Sequence, residues 1–256
     1  MSNIITVACL LFLVIVPGVC NIIAYPLSHK LCSKISNLIV KGVAPRLFRL
    51  LKAYKKFNFF GYKELRDKLP EQFIVIANHQ SLLDIPVFMN FFSDKDVRFV
   101  AKDNLSRHIP LVSEMLRNQE HCMVPRKAKP MEAMAVIESF GKRVVERNQI
   151  PIIFEIELEG TRTRTGDVGK FYSAGFRKLV ESSNLPVVVC ALDGGYKIRD
   201  LNKILTNLQR GCYRVKILKI YDNPKTKEEC INLLDEAKEL IQQELDNWRK
   251  LPTTQM

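Results

Sequence analysis

Hydrophobic residues along the chain form two kinds of pattern that alternate. Short apolar runs, each typical of a buried strand, lie at residues 73–77, 97–101, 122–124, 150–154, 187–192 and 213–220. Between several of these runs, apolar residues recur at helical spacing, as in residues 131–147, 171–180 and from Thr226 onward. Thr226 and Glu229 form a capping box at the last of these. The alternation predicts an α/β fold with a mostly parallel sheet covered by helices.

The first 27 residues carry no charged side chain and are mostly apolar from Ile4 to Leu27, with Pro17 and Gly18 in the middle. A continuous helix of this length is long enough to cross a bilayer, which needs about 20 residues. A kinked span and a re-entrant helical hairpin are both open. A cleaved signal peptide is the competing interpretation, but the segment has neither a basic n-region nor a small-x-small cleavage site.

The segment that follows, residues 28–68, is strongly basic. It contains eleven Lys and Arg against Glu64 and Asp67, a net charge of +9. Positive charge beside an apolar segment marks the cytoplasmic side of a membrane, and interleaved leucines and aromatics allow such a segment to lie on anionic lipid. A solvated helix face is the alternative. We therefore predict an N-terminal membrane-associating helical segment, at the cell membrane, with the following domain on the cytoplasmic side.

Composition narrows the choice of partner. The 256 residues carry a net charge of +12, which suits either nucleic acid or phospholipid headgroups. Because the basic residues cluster beside the apolar segment rather than with an aromatic platform, we expect no nucleic-acid partner. The seven cysteines show no paired spacing, and a cytoplasmic domain keeps its thiols reduced.

A histidine and an aspartate follow the first strand-like run, in the sequence Asn78-His79-Gln80-Ser81-Leu82-Leu83-Asp84. Along one continuous helix, side chains five positions apart would be separated by about 140°. Pro86, however, is tolerated only in the first turn of a helix, so the helix should begin near Asp84. Asp84 then caps that helix or turns back to the imidazole of His79 and fixes its tautomer. His79 is thus a candidate general base at the carboxyl end of a strand.

A second polar motif, Glu159-Gly160-Thr161-Arg162, comes shortly after the strand-like run 150–154. It combines a cation, a hydroxyl and a flexible backbone. The planar fork of arginine suits bidentate capture of phosphate, although an isolated tetrapeptide of this kind is also typical of a solvated loop.

Together the two motifs resemble the glycerolipid acyltransferases typified by bacterial 1-acyl-sn-glycerol-3-phosphate acyltransferase, also called lysophosphatidic acid acyltransferase. The resemblance covers residues 73–195. His79 and Asp84 match the catalytic His-x4-Asp of that family, and residues 159–162 match its acceptor-binding signature. Two further blocks, at residues 99–126 and 185–194, depart from the usual pattern: the first lacks a glycine, near Ser113, and the second has Val189 where a second proline is usual. The proline that usually precedes the acceptor-binding signature is Leu158 here.

The resemblance implies a membrane-associated O-acyltransferase that moves a fatty acyl group from acyl carrier protein or coenzyme A to the free hydroxyl of 1-acyl-sn-glycerol-3-phosphate. The product would be phosphatidic acid. His79 would be the base and Asp84 its partner. Residues that would bind the acceptor are Lys102, Arg126, Glu159, Gly160, Thr161 and Arg162. The implied domains are a membrane-anchoring segment, residues 1–60, and an acyltransferase domain, residues 61–256.

Several alternatives remain beside this interpretation. The acceptor could be another lysolipid, or the chain could be a non-catalytic lipid-binding protein on the same scaffold. A cysteine nucleophile is disfavoured because no cysteine adjoins His79, and Cys122 and Cys190 lie in apolar runs typical of a core. His108 and His121 lack a second-ligand spacing. We predict no metal and no tightly held cofactor, with the acyl thioester as co-substrate.

Overall fold

The computed structural model describes residues 2–39, 42, 44–81, 83–102, 119–125, 129–155, 165–198, 207, 209 and 211–251. Within these ranges, helices and strands alternate along most of the chain. Numbered in chain order, they are α1 (Ser2–Leu27), α2 (His29–Leu38), α3 (Ala44–Lys55), β1 (Asn58–Tyr62), β2 (Ile74–Ala77), α4 (Asp84–Phe91), β3 (Val97–Lys102), β4 (Cys122–Val124), α5 (Pro130–Glu146), β5 (Ile150–Phe154), α6 (Ser173–Ser183), β6 (Val187–Asp193), β7 (Cys212–Tyr221) and α7 (Lys227–Lys250).

The described strands form one seven-stranded sheet in the order β1-β7-β6-β2-β5-β3-β4. Strands β2 to β6 run parallel to one another. Strand β7 runs antiparallel to β6, and β1 runs parallel to β7. The carboxyl ends of β2, β5 and β6 therefore meet the amino end of β7 at one end of the sheet, which we call the carboxyl end of the sheet.

Helices cover both faces of the sheet. Since successive residues of a strand point to opposite faces, each central strand contributes side chains to two cores. In β2, Val75 and Ala77 belong to a core that includes Phe88 of α4 and residues of α3. Ile74 and Ile76 belong to a second core that includes residues of α5, α6 and α7. All four β2 side chains are fully buried, as expected of a central parallel strand.

The N-terminal helices α1 and α2 are joined at Ser28 and contact each other as a helical hairpin. Ser28 caps α2 by accepting a hydrogen bond from the backbone N–H of Leu31 at 3.3 Å. Asn21 of α1 is buried, and its side-chain oxygen accepts from the Cys32 thiol at 3.1 Å and the Ser36 hydroxyl at 3.2 Å, both on α2. Helix α1 runs without a break through Pro17 and Gly18. The turn of the hairpin lies at Ser28.

In the part of the chain that the structure describes, no helix combines the length and the hydropathy needed to cross a membrane.

The mostly parallel sheet covered by helices is confirmed, and the six strand-like runs all form strands. The sequence prediction missed β1, whose five residues are all half-buried and include Gly61. It missed this strand because an edge strand with neither a continuous apolar run nor a clean alternation gives no periodic signal. The capping box at Thr226 and Glu229 is confirmed at the start of α7.

A glycine sets how closely α5 and α6 pack. A Cβ at Gly141 of α5 would overlap the Ser182 hydroxyl and lie 2.8 Å from its Cβ, whereas a Cβ at Gly175 of α6 would meet only Ile137 at 3.4 Å. Alanine is the better helix former at both positions. We predict that Gly141→Ala nevertheless lowers the free energy of unfolding by about 1–3 kcal/mol.

Gly175→Ala is the matched control, and we expect it to leave stability unchanged or to raise it by up to about 1 kcal/mol. Denaturant unfolding followed by circular dichroism measures both. Equal stability of the two variants would contradict the close packing at Gly141.

Candidate functional site

The loop that carries His79 is fixed by Asn78, the first residue after β2. The side-chain amide of Asn78 donates to the backbone oxygen of Leu192 and its oxygen accepts from the Leu192 N–H, both at 2.8 Å. Asn78 is fully buried, and Leu192 belongs to the neighbouring strand β6. These two hydrogen bonds extend the pairing of β2 with β6 by one residue beyond β2. They fix the position at which the chain leaves the sheet.

His79 and Asp84 form a hydrogen-bonded pair at the carboxyl end of the sheet. Nδ1 of His79 lies 2.7 Å from Oδ2 of Asp84. The Asp84 side chain is fully buried, while the His79 side chain is 21% exposed. Oδ2 of Asp84 also accepts from two backbone N–H groups, so Nδ1 is the donor of this pair and the lone pair of the neutral imidazole lies on Nε2. The imidazole stacks on the Phe154 ring, with centroids 4.6 Å apart, which fixes the plane in which Nε2 points.

Asp84 is surrounded by hydrogen-bond donors. Its Oδ2 also accepts from the backbone N–H groups of Gln80 at 2.6 Å and Ser81 at 2.9 Å. Its Oδ1 accepts from the hydroxyl of Tyr213, at the amino end of β7. Helix α4 begins at Asp84, as the position of Pro86 predicts. Of the two roles that the sequence left open, Asp84 takes the second: its carboxylate turns back to the imidazole.

A second buried carboxylate, Glu155, lies directly after β5 and is 2% exposed. Its Oε1 accepts from the backbone N–H of His79 at 3.1 Å, and its Oε2 accepts from the backbone N–H of Gly169 at 2.7 Å. Glu155 therefore connects the His79 loop to the segment that precedes α6. Because both bonds go to backbone groups, they fix the path of the chain at His79.

Gln80 connects the same loop to the end of β6. Its side-chain oxygen accepts from the N–H of Gly195 at 3.0 Å, and its amide donates to the backbone oxygen of Gly166 at 3.2 Å. Arg249, near the end of α7, donates to the same Gly166 oxygen at 2.6 Å and to Asp167 at 2.7 Å. The hydrogen bond from Arg249 is the largest cause of the lowered pKa of Asp167. Gly166 has a φ of +88°, and a Cβ there would lie 2.6 Å from Arg249 Nη2.

Of the predicted site residues, the structure describes the side chains of His79 and Asp84 alone. His79 and Asp84 are together, as predicted. Lys102 is the last residue of β3, whose carboxyl end lies at the same end of the sheet. The Lys102 side chain lies outside what the structure describes, as do Arg126, Glu159, Gly160, Thr161 and Arg162. The acceptor-binding role of these six residues stays a prediction.

The other candidate histidines and cysteines have structural surroundings. His121 is buried, and its Nδ1 accepts from the Phe99 N–H at 3.0 Å. Burial, followed by the charges of Arg98 and Arg143, lowers the pKa of His121 to about 3. Cys122 and Cys190 are buried, as predicted; burial raises the pKa of Cys122 to about 12 and that of Cys190 further. His108 lies outside the described residues.

Over the described ranges, no group of three His, Cys, Asp or Glu side chains could hold a metal ion. The expectation that the protein uses no metal and no tightly held cofactor stays a prediction.

Sequence reasoning missed four residues that complete the site: Gln80, Glu155, Tyr213 and Arg249. Glu155 had a usable signal, since a carboxylate directly after a buried strand occupies the place that Asn78 occupies after β2. Tyr213 and Arg249 had none. Tyr213 is 129 positions from Asp84, and only the antiparallel placement of β7 brings them together.

Comparison with known proteins gives two findings. Residues 61–193 match the family model described as Acyltransferase. The crystal structure of the 1-acyl-sn-glycerophosphate (LPA) acyltransferase PlsC from Thermotoga maritima is similar to 98% of this chain and 99% of that chain, with a TM-score of 0.66 and 20% sequence identity. At this identity the similarity shows a shared fold. No curated protein matches the sequence.

The bridging role of Glu155 predicts a stability effect. Glu155→Gln leaves one acceptor oxygen and turns an amide N–H toward the other backbone donor, so we expect the free energy of unfolding to fall by about 1–3 kcal/mol. Amide hydrogen exchange at His79 or Gly169 should also become faster. Denaturant unfolding and hydrogen exchange with mass spectrometry measure the two effects.

Glu146→Gln, an exposed change at the end of α5, is the matched control and should stay within about 0.5 kcal/mol of the wild type. If Glu155→Gln behaves like this control in both measurements, Glu155 does not hold the His79 loop.

Proposed function

Because the chain belongs to the acyltransferase family, whose model matches residues 61–193, we propose that it transfers a fatty acyl group from an acyl thioester to the free hydroxyl of 1-acyl-sn-glycerol-3-phosphate. The product is phosphatidic acid, for phospholipid synthesis. The observation that carries the proposal is the partly exposed imidazole of His79, hydrogen-bonded through Nδ1 to a buried carboxylate. A lipid-binding scaffold without turnover has no need of such a pair.

The proposed reaction uses His79 as a general base. As the acceptor oxygen attacks the thioester carbonyl, Nε2 takes the hydroxyl proton and a C–O bond forms. The tetrahedral intermediate then collapses, the C–S bond breaks, and the departing thiolate receives the proton from the imidazolium. Asp84 stabilises the imidazolium between these two steps, because its Oδ2 accepts from Nδ1 throughout. No covalent acyl-enzyme is needed.

Acceptor binding is assigned to the basic residues that the resemblance points to. Lys102, Arg126 and Arg162 supply cations that would hold the phosphate, with Glu159, Gly160 and Thr161 shaping the loop. Holding the phosphate converts binding energy into orientation of the free hydroxyl at Nε2. The donor is the thioester of acyl carrier protein or of coenzyme A.

The proposal includes attachment to the cell membrane through residues 1–60, with the acyltransferase domain, residues 61–256, on the cytoplasmic side. The supporting observation is the surface of the α1–α2 hairpin, where apolar side chains are exposed: Phe12 is 67% exposed, Leu27 74% and Leu31 47%. Basic side chains are also exposed on α2 and α3, among them Lys30, Lys34, Arg46, Arg49 and Lys52. Apolar residues flanked by basic ones suit an anionic lipid surface.

The first test is acyl transfer to a panel of lysolipids, with acyl carrier protein and coenzyme A thioesters as donors. We expect phosphatidic acid from 1-acyl-sn-glycerol-3-phosphate, and a loss of kcat/KM on the order of 10²–10⁴-fold in His79→Gln and in Asp84→Asn. Asp235→Asn, an exposed change on α7, is the control and should keep full activity.

Transfer to another lysolipid alone would retain the mechanism and change the acceptor. A folded wild type that binds lysolipid and transfers to none of them would favour the lipid-binding alternative and refute the proposal.

Membrane attachment is tested by sedimentation with anionic vesicles. Leu27→Asp combined with Leu31→Asp should reduce binding by about tenfold or more, because two apolar contacts with the lipid are replaced by charges that the anionic surface repels. Binding of the wild type should also weaken as salt rises.

Val145→Asp, a half-exposed apolar residue at the end of α5, is the matched control. Equal loss in this control, or binding that does not depend on either hairpin residue, would exclude the hairpin as the attachment surface.

A further inference from the structure

Tyr213 reaches the site from a part of the chain that the family model does not cover. It is the second residue of β7, beyond the matched residues 61–193. Because β7 is antiparallel to β6, its first residues lie where the parallel strands end. Tyr213 is fully buried, although it carries a hydroxyl. A buried hydroxyl requires a hydrogen-bond partner, and the Tyr213 hydroxyl donates to the carboxylate of Asp84, with the Ser81 side chain also within hydrogen-bonding reach.

The two oxygens of Asp84 are held from different sides. Oδ2 accepts hydrogen bonds from His79 Nδ1 and from the backbone N–H groups of Gln80 and Ser81, all in the same loop. Oδ1 accepts a hydrogen bond from the hydroxyl of Tyr213, which lies on strand β7. The torsion that turns a carboxylate is broad and soft, so contacts at one oxygen leave its plane poorly determined. A donor at the second oxygen fixes that plane.

The phenol is closely packed around this hydrogen bond. The Phe57 ring lies against it with centroids 6.5 Å apart. On another side lies the backbone of Gly195, where a Cβ would overlap the phenol oxygen and approach Asp84 Oδ1 to 3.0 Å. The absence of a side chain at Gly195 is therefore what lets Tyr213 and Asp84 meet.

Tyr213 also stays protonated. Burial, followed by the charge of Asp84 and the hydrogen bond to it, raises the pKa of the phenol well above its ordinary value. The hydroxyl is thus a donor to Asp84 throughout the neutral and mildly alkaline range.

We propose that Tyr213 is a positioning residue of the His79–Asp84 pair: its hydroxyl fixes the carboxylate of Asp84 so that Oδ2 stays on Nδ1 and Nε2 stays aimed at the acceptor hydroxyl. Tyr213 acts through Asp84 and touches neither substrate. The inference rests on the proposed acyl transfer and adds a residue to the machinery that performs it.

The test is Tyr213→Phe, which removes one oxygen and keeps the ring. We expect kcat to fall on the order of tenfold, because a hydrogen bond to a charged group is lost, while KM for lysolipid and for thioester stays within about twofold. Tyr221→Phe makes the same change further along β7, away from Asp84, and is the matched control. Thermal unfolding confirms that each variant is folded at the assay temperature.

A double-mutant cycle separates positioning from a general packing effect. If Tyr213 acts through Asp84, Tyr213→Phe should change kcat by less than about twofold in the Asp84→Asn background, measured in long incubations with radiolabelled donor. A loss in that background equal to the loss in the wild type would overturn the inference. So would a Tyr213→Phe variant whose kcat matches that of Tyr221→Phe.

A second variant reaches the same hydrogen bond by another route. Gly195→Ala should displace the phenol from Asp84 and lower kcat more than it changes KM. Unaltered kcat in this variant would count against the inference. Activity of the wild type tests the proposed function separately. An inactive wild type would contradict the proposed acyl transfer, whereas an active wild type with an equally active Tyr213→Phe variant would contradict only the role of Tyr213.

Discussion

A carboxylate that is fully buried must be surrounded by hydrogen-bond donors, and much of the site can be understood from how the fold meets this requirement at Asp84. The donors are the imidazole of His79, the backbone of the turn between His79 and α4, and the hydroxyl of Tyr213 on β7. These donors can meet at Asp84 because the turn between His79 and the start of α4 at Asp84 is tight. They also require the amino end of β7 to lie at the carboxyl end of the sheet.

The same end of the sheet is fixed by further polar side chains directly after the central strands. Asn78 joins the end of β2 to β6, and Glu155 at the end of β5 accepts from the backbone of His79. Gln80 and Arg249 both donate to the oxygen of Gly166, so α7 also holds the segment before α6. The side chains of Asn78, Gln80 and Glu155 are buried and hydrogen-bonded, so the loop that carries the imidazole is held in place, while the His79 side chain itself is 21% exposed. Rigid placement of a base is what general base catalysis requires.

Local sequence determined the parts of the structure that depend on local physics. Buried parallel strands such as β2 and β5 appear as apolar runs, and Pro86 located the start of α4 and hence the meeting of His79 with Asp84. An apolar run indicates burial and carries no information on direction, so the reversal of β7 was not predictable. The contacts of Tyr213 and Arg249 depend on that arrangement. β1, a half-buried edge strand, gave no pattern to detect.

The central claim is that Nε2 of His79 removes the proton from the acceptor hydroxyl. The most direct measurement is a structure of the protein with 1-acyl-sn-glycerol-3-phosphate bound. We predict that the free hydroxyl lies about 2.6–3.2 Å from Nε2, with the His79–Asp84 hydrogen bond retained. A lysolipid bound with its hydroxyl remote from His79, and its phosphate at the imidazole instead, would contradict the role of His79 as the base.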